Sequence, residues 1–337
     1  MSQLVAQPYA LPIARIRLTV RAEAPLALPP YAGSMLRGAF GHALLALSPL
    51  PHPGGQPCAL HASCPYCQLF AAPALPGHSL QKFSHMPQPY VIEPPTAGVQ
   101  RLQTGQTFTF GLVLIGKALG LLPVVLQAWQ RALQTGLGAS HTPCSLLEVM
   151  DEAGTSFLPL KSEHLSNLNR RLPAAAPLSD QTTLHFHTPL RLQVHGKPVR
   201  AGQLTARNLL ITLARRTQLL CDVHMGAAAP QHDFAALSAL STDINLRCDD
   251  LRWFDWGRYS QRQQQEMQLG GLLGNVQLQG DLLPFSELLH LGQWLHVGKN
   301  ASMGLGCYRL MIGPAGGLPQ VDSLHPHPGK IAHIARH

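Results

Sequence analysis

Carboxylates are scarce in this chain: 17 Asp and Glu face 25 Lys and Arg among 337 residues. Only 12% of residues are charged, so the net charge of +8 and the pI near 9.3 reflect few acids rather than many bases. The same scarcity leaves no acidic cluster suited to two-metal phosphodiester hydrolysis. Asp249 and Asp250 are adjacent, and on a strand they would point to opposite faces. No run approaches about 18 uncharged apolar residues, which argues against a membrane span. The N-terminus MSQLVAQPYALPIARIRLTV lacks a basic stretch before an apolar core, so no signal peptide is expected and the cytoplasm is the default location. The seven cysteines are odd in number and scattered, unlike a secreted disulfide framework. No G-x-S-x-G elbow appears for acyl transfer.

The glycine-rich segment PFSELLHLGQWLHVGKNASMGLGCYRLMI (284–312) also lacks something, the order that phosphate cradles need. Its apolar positions recur at helical spacing from Phe285 to about Val297, and Gly298 closes that helix. Glycines follow the helix and an apolar strand from Tyr308 to Ile312 follows them. A nucleotide loop runs the other way, from strand through glycines into a helix N-terminus. Cys307 follows Gly306 with no Lys-Ser/Thr pair, so a Walker reading fails. What remains is a loop bearing Gly298, Lys299, Asn300, Ser302, Gly304 and Gly306, able to lie along a nucleic-acid backbone. Of the 25 cations, 19 are Arg. Guanidinium groups favour bidentate phosphate contacts and stacking, which points to an anionic partner, nucleic acid before others.

Periodicity predicts a half-buried strand over 13–20 and a helix from a Ser34 cap to Leu47, with Arg37 at its edge and His42 on its far side. Residues 49–80 read as irregular. Strands are expected at PYVIEPP and over 107–116, a helix over 122–136 and a strand over 144–152. A linker over 153–183 precedes a strand over 183–194 and a helix over 205–220 that carries Arg207, Arg215 and Arg216. Residues 251–282 read as two strands with a hairpin or bulge near Gly270–Gly271. Each half thus follows β-α-β-β-α-β. The expected class is α+β, with two tandem ferredoxin-like (RRM-like) domains over 10–152 and 183–312, and a disordered tail over 313–337.

Three cysteines with a histidine among them, Cys58, His61, Cys64 and Cys67, offer soft ligands for a structural zinc. The fourth donor would be His61 or a distant residue; the alternative is a loop of reduced thiols. His42 and His52 are candidates to take a proton from a ribose 2′-hydroxyl. His185 and His187 share one strand face at metal-ligand spacing. Trp253, Phe254, Trp256 and Tyr259 interleave with Arg252, Arg258 and Arg262, a pattern that stacks unpaired bases or packs in a core.

LRGAFGHAL (36–44), the Cys-containing loop, PQPYVIEPP (87–95), FTFGLVLIGKA (108–118) and HVGKNASMGLGCYRL (296–310) together resemble the CRISPR-associated RAMP-superfamily endoribonucleases that process precursor CRISPR RNA. The likeness spans roughly residues 10–312. It implies cleavage of a CRISPR repeat hairpin by 2′-hydroxyl attack, giving mature crRNA with a 2′,3′-cyclic phosphate, with no metal required for catalysis. It also implies a histidine base shortly after the first helix, where His52 stands, with His42 in reserve. Arg37, Arg207, Arg215, Arg216 and the glycine loop would contact RNA. The other reading is a crRNA-binding subunit of a CRISPR effector complex that does not cut.

Overall fold

The computed structural model describes residues 11–53, 58–72, 77, 86–95, 100–161, 172, 175–225, 231–260 and 265–311, with backbone alone at 100, 256–260 and 265–269. The expectations for the tail 313–337, most of the linker, Arg262 and the side chains of Trp256, Arg258 and Tyr259 lie outside the described residues.

The N-terminal half builds one antiparallel sheet from β1 (Ile13–Ala22), β2 (Tyr90–Glu93), β3 (Thr107–Ile115) and β4 (Cys144–Asp151), in the order β2-β3-β1-β4. Alternation in IARIRLTVRA sends Ile16, Leu18 and Val20 into the core, as a strand with one covered face requires. Helices α1 (Gly33–Ala46) and α3 (Leu122–Thr135) pack on that face, while the short α2 (Pro65–Leu69) packs against α1. Phe40 of α1 stacks on Trp129 of α3 at 5.0 Å and meets Tyr90 of β2 edge-on at 5.4 Å. Such aromatic contacts add to area burial and lock the helix pair to the sheet. Helix α1 begins at Gly33, with Ala32 at the cap position two residues before the expected Ser34, and no side chain caps it. Ser34 lies inside the first turn.

The C-terminal half repeats the order. Its sheet contains β5 (Gln181–Leu190), β6 (Asn245–Arg247), β7 (Arg252–Ser260), β8 (Gln265–Gln279) and β9 (Tyr308–Met311), running β6-β8-β5-β9 with β7 paired to β8. Helices α4 (Ala206–His224) and α6 (Ser286–Leu295) cover it, with the short α5 (Phe234–Leu240) beside α4. Residues 270–271 lie inside β8, and the register slips against β5 between Leu272 and Gly274. The irregularity is therefore a bulge, not a turn.

Each half encloses its own apolar core. A third, smaller cluster joins them: Leu11, Ile13, Val91, Val113 and Ile115 pack against Leu220, Cys221, Leu291 and Leu295. That cluster uses the face of the first sheet that α1 and α3 leave uncovered, and it explains why β2 and the end of β3 read as continuous apolar runs. No helix of the described residues is long and apolar enough to cross a membrane.

Candidate functional site

The glycine loop is a clamp between the halves rather than a free strap. A Cβ on Gly33, the first residue of α1, would collide with the Met303 carbonyl oxygen, and one on Gly304 would strike Ile92 of β2. Tyr31 donates its hydroxyl proton to Met303 O at 2.6 Å. Thr188 donates to Gly304 O at 2.6 Å and accepts from Cys307 N–H at 2.8 Å. Gly304, Leu305, Gly306 and Cys307 are buried, so the second half of the loop is closed to a macromolecule. Gly298, Lys299, Asn300 and Ser302 stay half-exposed, and Asn300 takes a left-handed conformation with φ 62°. Of the six loop residues expected at RNA, only these four present themselves.

Helix α1 starts from that clamp. Ser34, Gly38 and His42 recur at i, i+4 and i+8 and so form one stripe along it. Ser34 and Gly38 are half-exposed and His42 is exposed. A Cβ on Gly38 would meet open space. Glycine inside a helix costs about 0.5–1 kcal/mol against alanine, and the core does not call for it at this position. The result is a bare strip of backbone one turn before an exposed imidazole. Arg37 lies on another face: its guanidinium sits 4.4 Å over the Phe70 ring and its Nε donates to Gln88 at 3.4 Å.

His52 is elsewhere, and sequence reasoning missed its surroundings. It is 7% exposed, its Nε2 lies 3.3 Å from Cys67 Sγ and 3.5 Å from Cys64 Sγ, and its Nδ1 is buried too. Neither ring nitrogen can reach a ribose hydroxyl, which removes the ground for His52 as the base. Cys58 Sγ is 3.8 Å from Cys67 Sγ, and all four ligand atoms lie within 4.8 Å of one another. His61, one of the two sources considered for a fourth donor, is exposed. His52 precedes the first cysteine by six residues. That spacing was legible, but nothing in it ranked His52 above His61.

Among the other cations, Arg207 and Arg215 are exposed, Arg207 with its Nε on Ser238 Oγ at 2.8 Å. Arg216 is turned inward: its Nε donates to Leu295 O at 2.8 Å, its Nη2 is buried, and burial lowers its pKa to about 10. It caps the last turn of α6 while the residue as a whole stays partly exposed. His185 bonds Asn275 Oδ1 through Nδ1 at 2.6 Å and meets the His187 ring edge-on. Trp253 is covered by the Arg200 guanidinium at 3.5 Å, so that ring is already stacked from one side.

A second cluster, unforeseen from sequence, lies where the halves meet. Glu93 Oε1 accepts from Arg15 Nη2 at 2.9 Å, Arg15 Nε at 3.2 Å and His296 Nε2 at 3.1 Å. Arg15 also pairs with Glu152 at 2.9 Å and donates to Gln293 O at 2.8 Å. Burial alone would lower the pKa of His296, but the facing Cys307 sulfur and the Glu93 carboxylate outweigh it and raise it to about 9. His296 ends α6 with φ 58°, a conformation that persists only where the surroundings over-determine it.

Comparison with known proteins follows this geometry. Residues 11–171 match the family model AF_1859_N, an N-terminal domain, and residues 184–308 match that of the CRISPR-associated endoribonuclease Cas6. No curated protein matches the chain. Among solved structures, a Cas6 product complex is 17% identical with a TM-score of 0.56, over 89% of this chain and 100% of that one. A partial Cas6-RT-Cas1–Cas2 complex is 15% identical with a TM-score of 0.53, over 94% of this chain and 48% of the other. Thermus thermophilus Cas6 is 16% identical with a TM-score of 0.50, over 91% and 100%. These likenesses are of fold.

Proposed function

We propose that this chain is a CRISPR-associated endoribonuclease of the Cas6 type, a reading supported by the family-model match over residues 184–308, and that it cuts CRISPR repeat RNA without metal, by attack of a ribose 2′-hydroxyl on the adjacent phosphate. On this reading each half is a ferredoxin-like unit, supported by the shared sheet order in which the first and third main strands are central. The RNA backbone crosses the half-exposed start of the glycine loop and runs down the stripe of α1. The contact of Met303 with Gly33, which brings the loop to the start of the helix that carries Ser34, Gly38 and His42, is the observation that carries the proposal.

His42 acts as general base. Its imidazole takes the 2′-hydroxyl proton, the oxygen attacks phosphorus, and the bond to the 5′ oxygen breaks, that oxygen gaining a proton from solvent. The products are a 2′,3′-cyclic phosphate and a 5′-hydroxyl. Lys299 is the loop's cation, and Arg207 and Arg215 offer further phosphate contacts from α4. A positioned base of this kind contributes about 10²–10⁴-fold.

The test is single-turnover cleavage of the cognate repeat RNA in EDTA. His42→Ala should lose about 10²–10⁴-fold in rate while retaining RNA affinity. If wild type binds the repeat tightly and leaves it whole, the protein is a crRNA-holding subunit and the cleavage reading falls.

A further inference from the structure

We propose that His52, Cys58, Cys64 and Cys67 bind one zinc ion, and that this ion clasps the segment after α1 onto the helix that carries His42. The argument is independent of whether the protein cuts RNA. Metal–sulfur bonds of about 2.3 Å and a metal–nitrogen bond of about 2.0 Å, set tetrahedrally, give sulfur–sulfur edges of roughly 3.8 Å and sulfur–nitrogen edges of roughly 3.5 Å. Three of the six edges are 3.8 Å between Cys58 and Cys67, 3.3 Å between His52 and Cys67, and 3.5 Å between His52 and Cys64, and the other three lie within 4.8 Å. A disulfide would need sulfurs about 2.05 Å apart, far inside the Cys58–Cys67 separation. Three thiolates and one imidazole form a soft, closed donor set, which selects zinc over calcium or magnesium and leaves no position for a catalytic water.

The surroundings orient the donors. The Cys58 N–H donates to Cys67 Sγ at 3.4 Å, and the Ser48 hydroxyl lies 3.5 Å from Cys64 Sγ. Contacts of this kind hold thiolates in place around a metal. Cys64 and Cys67 flank the first turn of α2, and His52 meets Tyr66 of that turn edge-on at 4.6 Å. Tyr66 stacks on Phe70 at 5.6 Å. Phe70 in turn lies so close over Gly41 that a Cβ there would collide with its ring, and it carries the Arg37 guanidinium on its face. The chain of contact therefore runs from the donor set through α2 to the residue preceding His42. Without the ion, α2 is a five-residue helix held by the packing of Tyr66, Cys67 and Leu69 and by these ring contacts.

Metal analysis of the full-length chain, purified from zinc-supplemented medium, tests this. The expected result is one zinc per chain, with His52→Ala and Cys64→Ser stripped of metal, His61→Ala fully loaded, and His52→Cys still loaded. Cobalt substitution should give an intense thiolate charge-transfer band that strengthens in His52→Cys. Should the stripped variants fail to fold, wild type suffices: a strong chelator should lower its melting temperature by several degrees, and added zinc should restore it. A wild-type chain without zinc whose melting ignores both chelator and zinc overturns the proposal, as does stoichiometric iron in zinc's place.

Discussion

Two clusters in this protein draw on the same side chains, histidine and cysteine among buried neighbours, and use them oppositely. The first gathers His52, Cys58, Cys64 and Cys67 within one loop and one turn of helix. The second gathers Arg15, Glu93, His296 and Cys307 from both halves of the chain. Among the described residues the loop cluster shows soft donors and no ion pair, so it suits a metal. At the junction the Glu93 oxygen already takes three donors, and the Arg15 guanidinium stands beside it. A metal ion there would face the Arg15 guanidinium, a charge of its own sign. The same residue types thus suit a metal in one place and form a salt-bridged lock in the other, where the Arg15 guanidinium stands beside the carboxylate.

The largest test of that contrast is Glu93→Ala. It takes the carboxylate from the buried His296 and leaves Arg15 with Glu152 alone as its ion-pair partner, and breaking a buried pair costs about 3–5 kcal/mol. Chemical denaturation should record this loss with and without chelator alike. A loss that grows when metal is removed would mean the two clusters are not separate.

The pH response should divide them next. His296 has a folded pKa raised from 6.5 to about 9. Its stabilisation is therefore fully present below about 6.5 and is lost as pH rises through about 9, an effect on the order of 3 kcal/mol. The stability difference between wild type and His296→Gln should shrink across that alkaline window. Zinc ligands must be deprotonated, so the loop cluster should instead fail on the acid side, read as zinc release. Both transitions on the same side would break the comparison.

The smallest expected effect lies outside both clusters and gives a baseline. Gly38→Ala adds its Cβ in open space. It should raise stability by about 0.5–1 kcal/mol through helix propensity, while slowing repeat cleavage if RNA passes over that turn. Unchanged cleavage would move the RNA path off α1.

The elements themselves were legible because burial imposes a period. IARIRLTV alternates and LPVVLQAWQRALQT repeats at helical spacing, and both appear within two residues of the expected bounds. The cysteine triad was legible as a ligand set because its members are near in sequence. Its fourth member was not, since exposure separates His52 from His61 and sequence does not state exposure. The glycine loop was found but read as open. Gly304 and Gly306 turned out to be spacers, where two backbones pass too close for a Cβ.

Composition, periodicity and local spacing were enough to give a basic, arginine-rich chain of two α+β halves, a cysteine loop and a glycine-rich signature. Each of those depends on interactions within a few residues or on totals. The tertiary structure alone decided that His52 faces sulfur rather than solvent, that Arg216 caps a helix, and that Glu93 meets His296 across 203 positions. Such outcomes depend on which surfaces the two halves bury against each other. A charge or a thiol takes its chemistry from the desolvation and partners it acquires there, and neither is encoded in its neighbours along the chain.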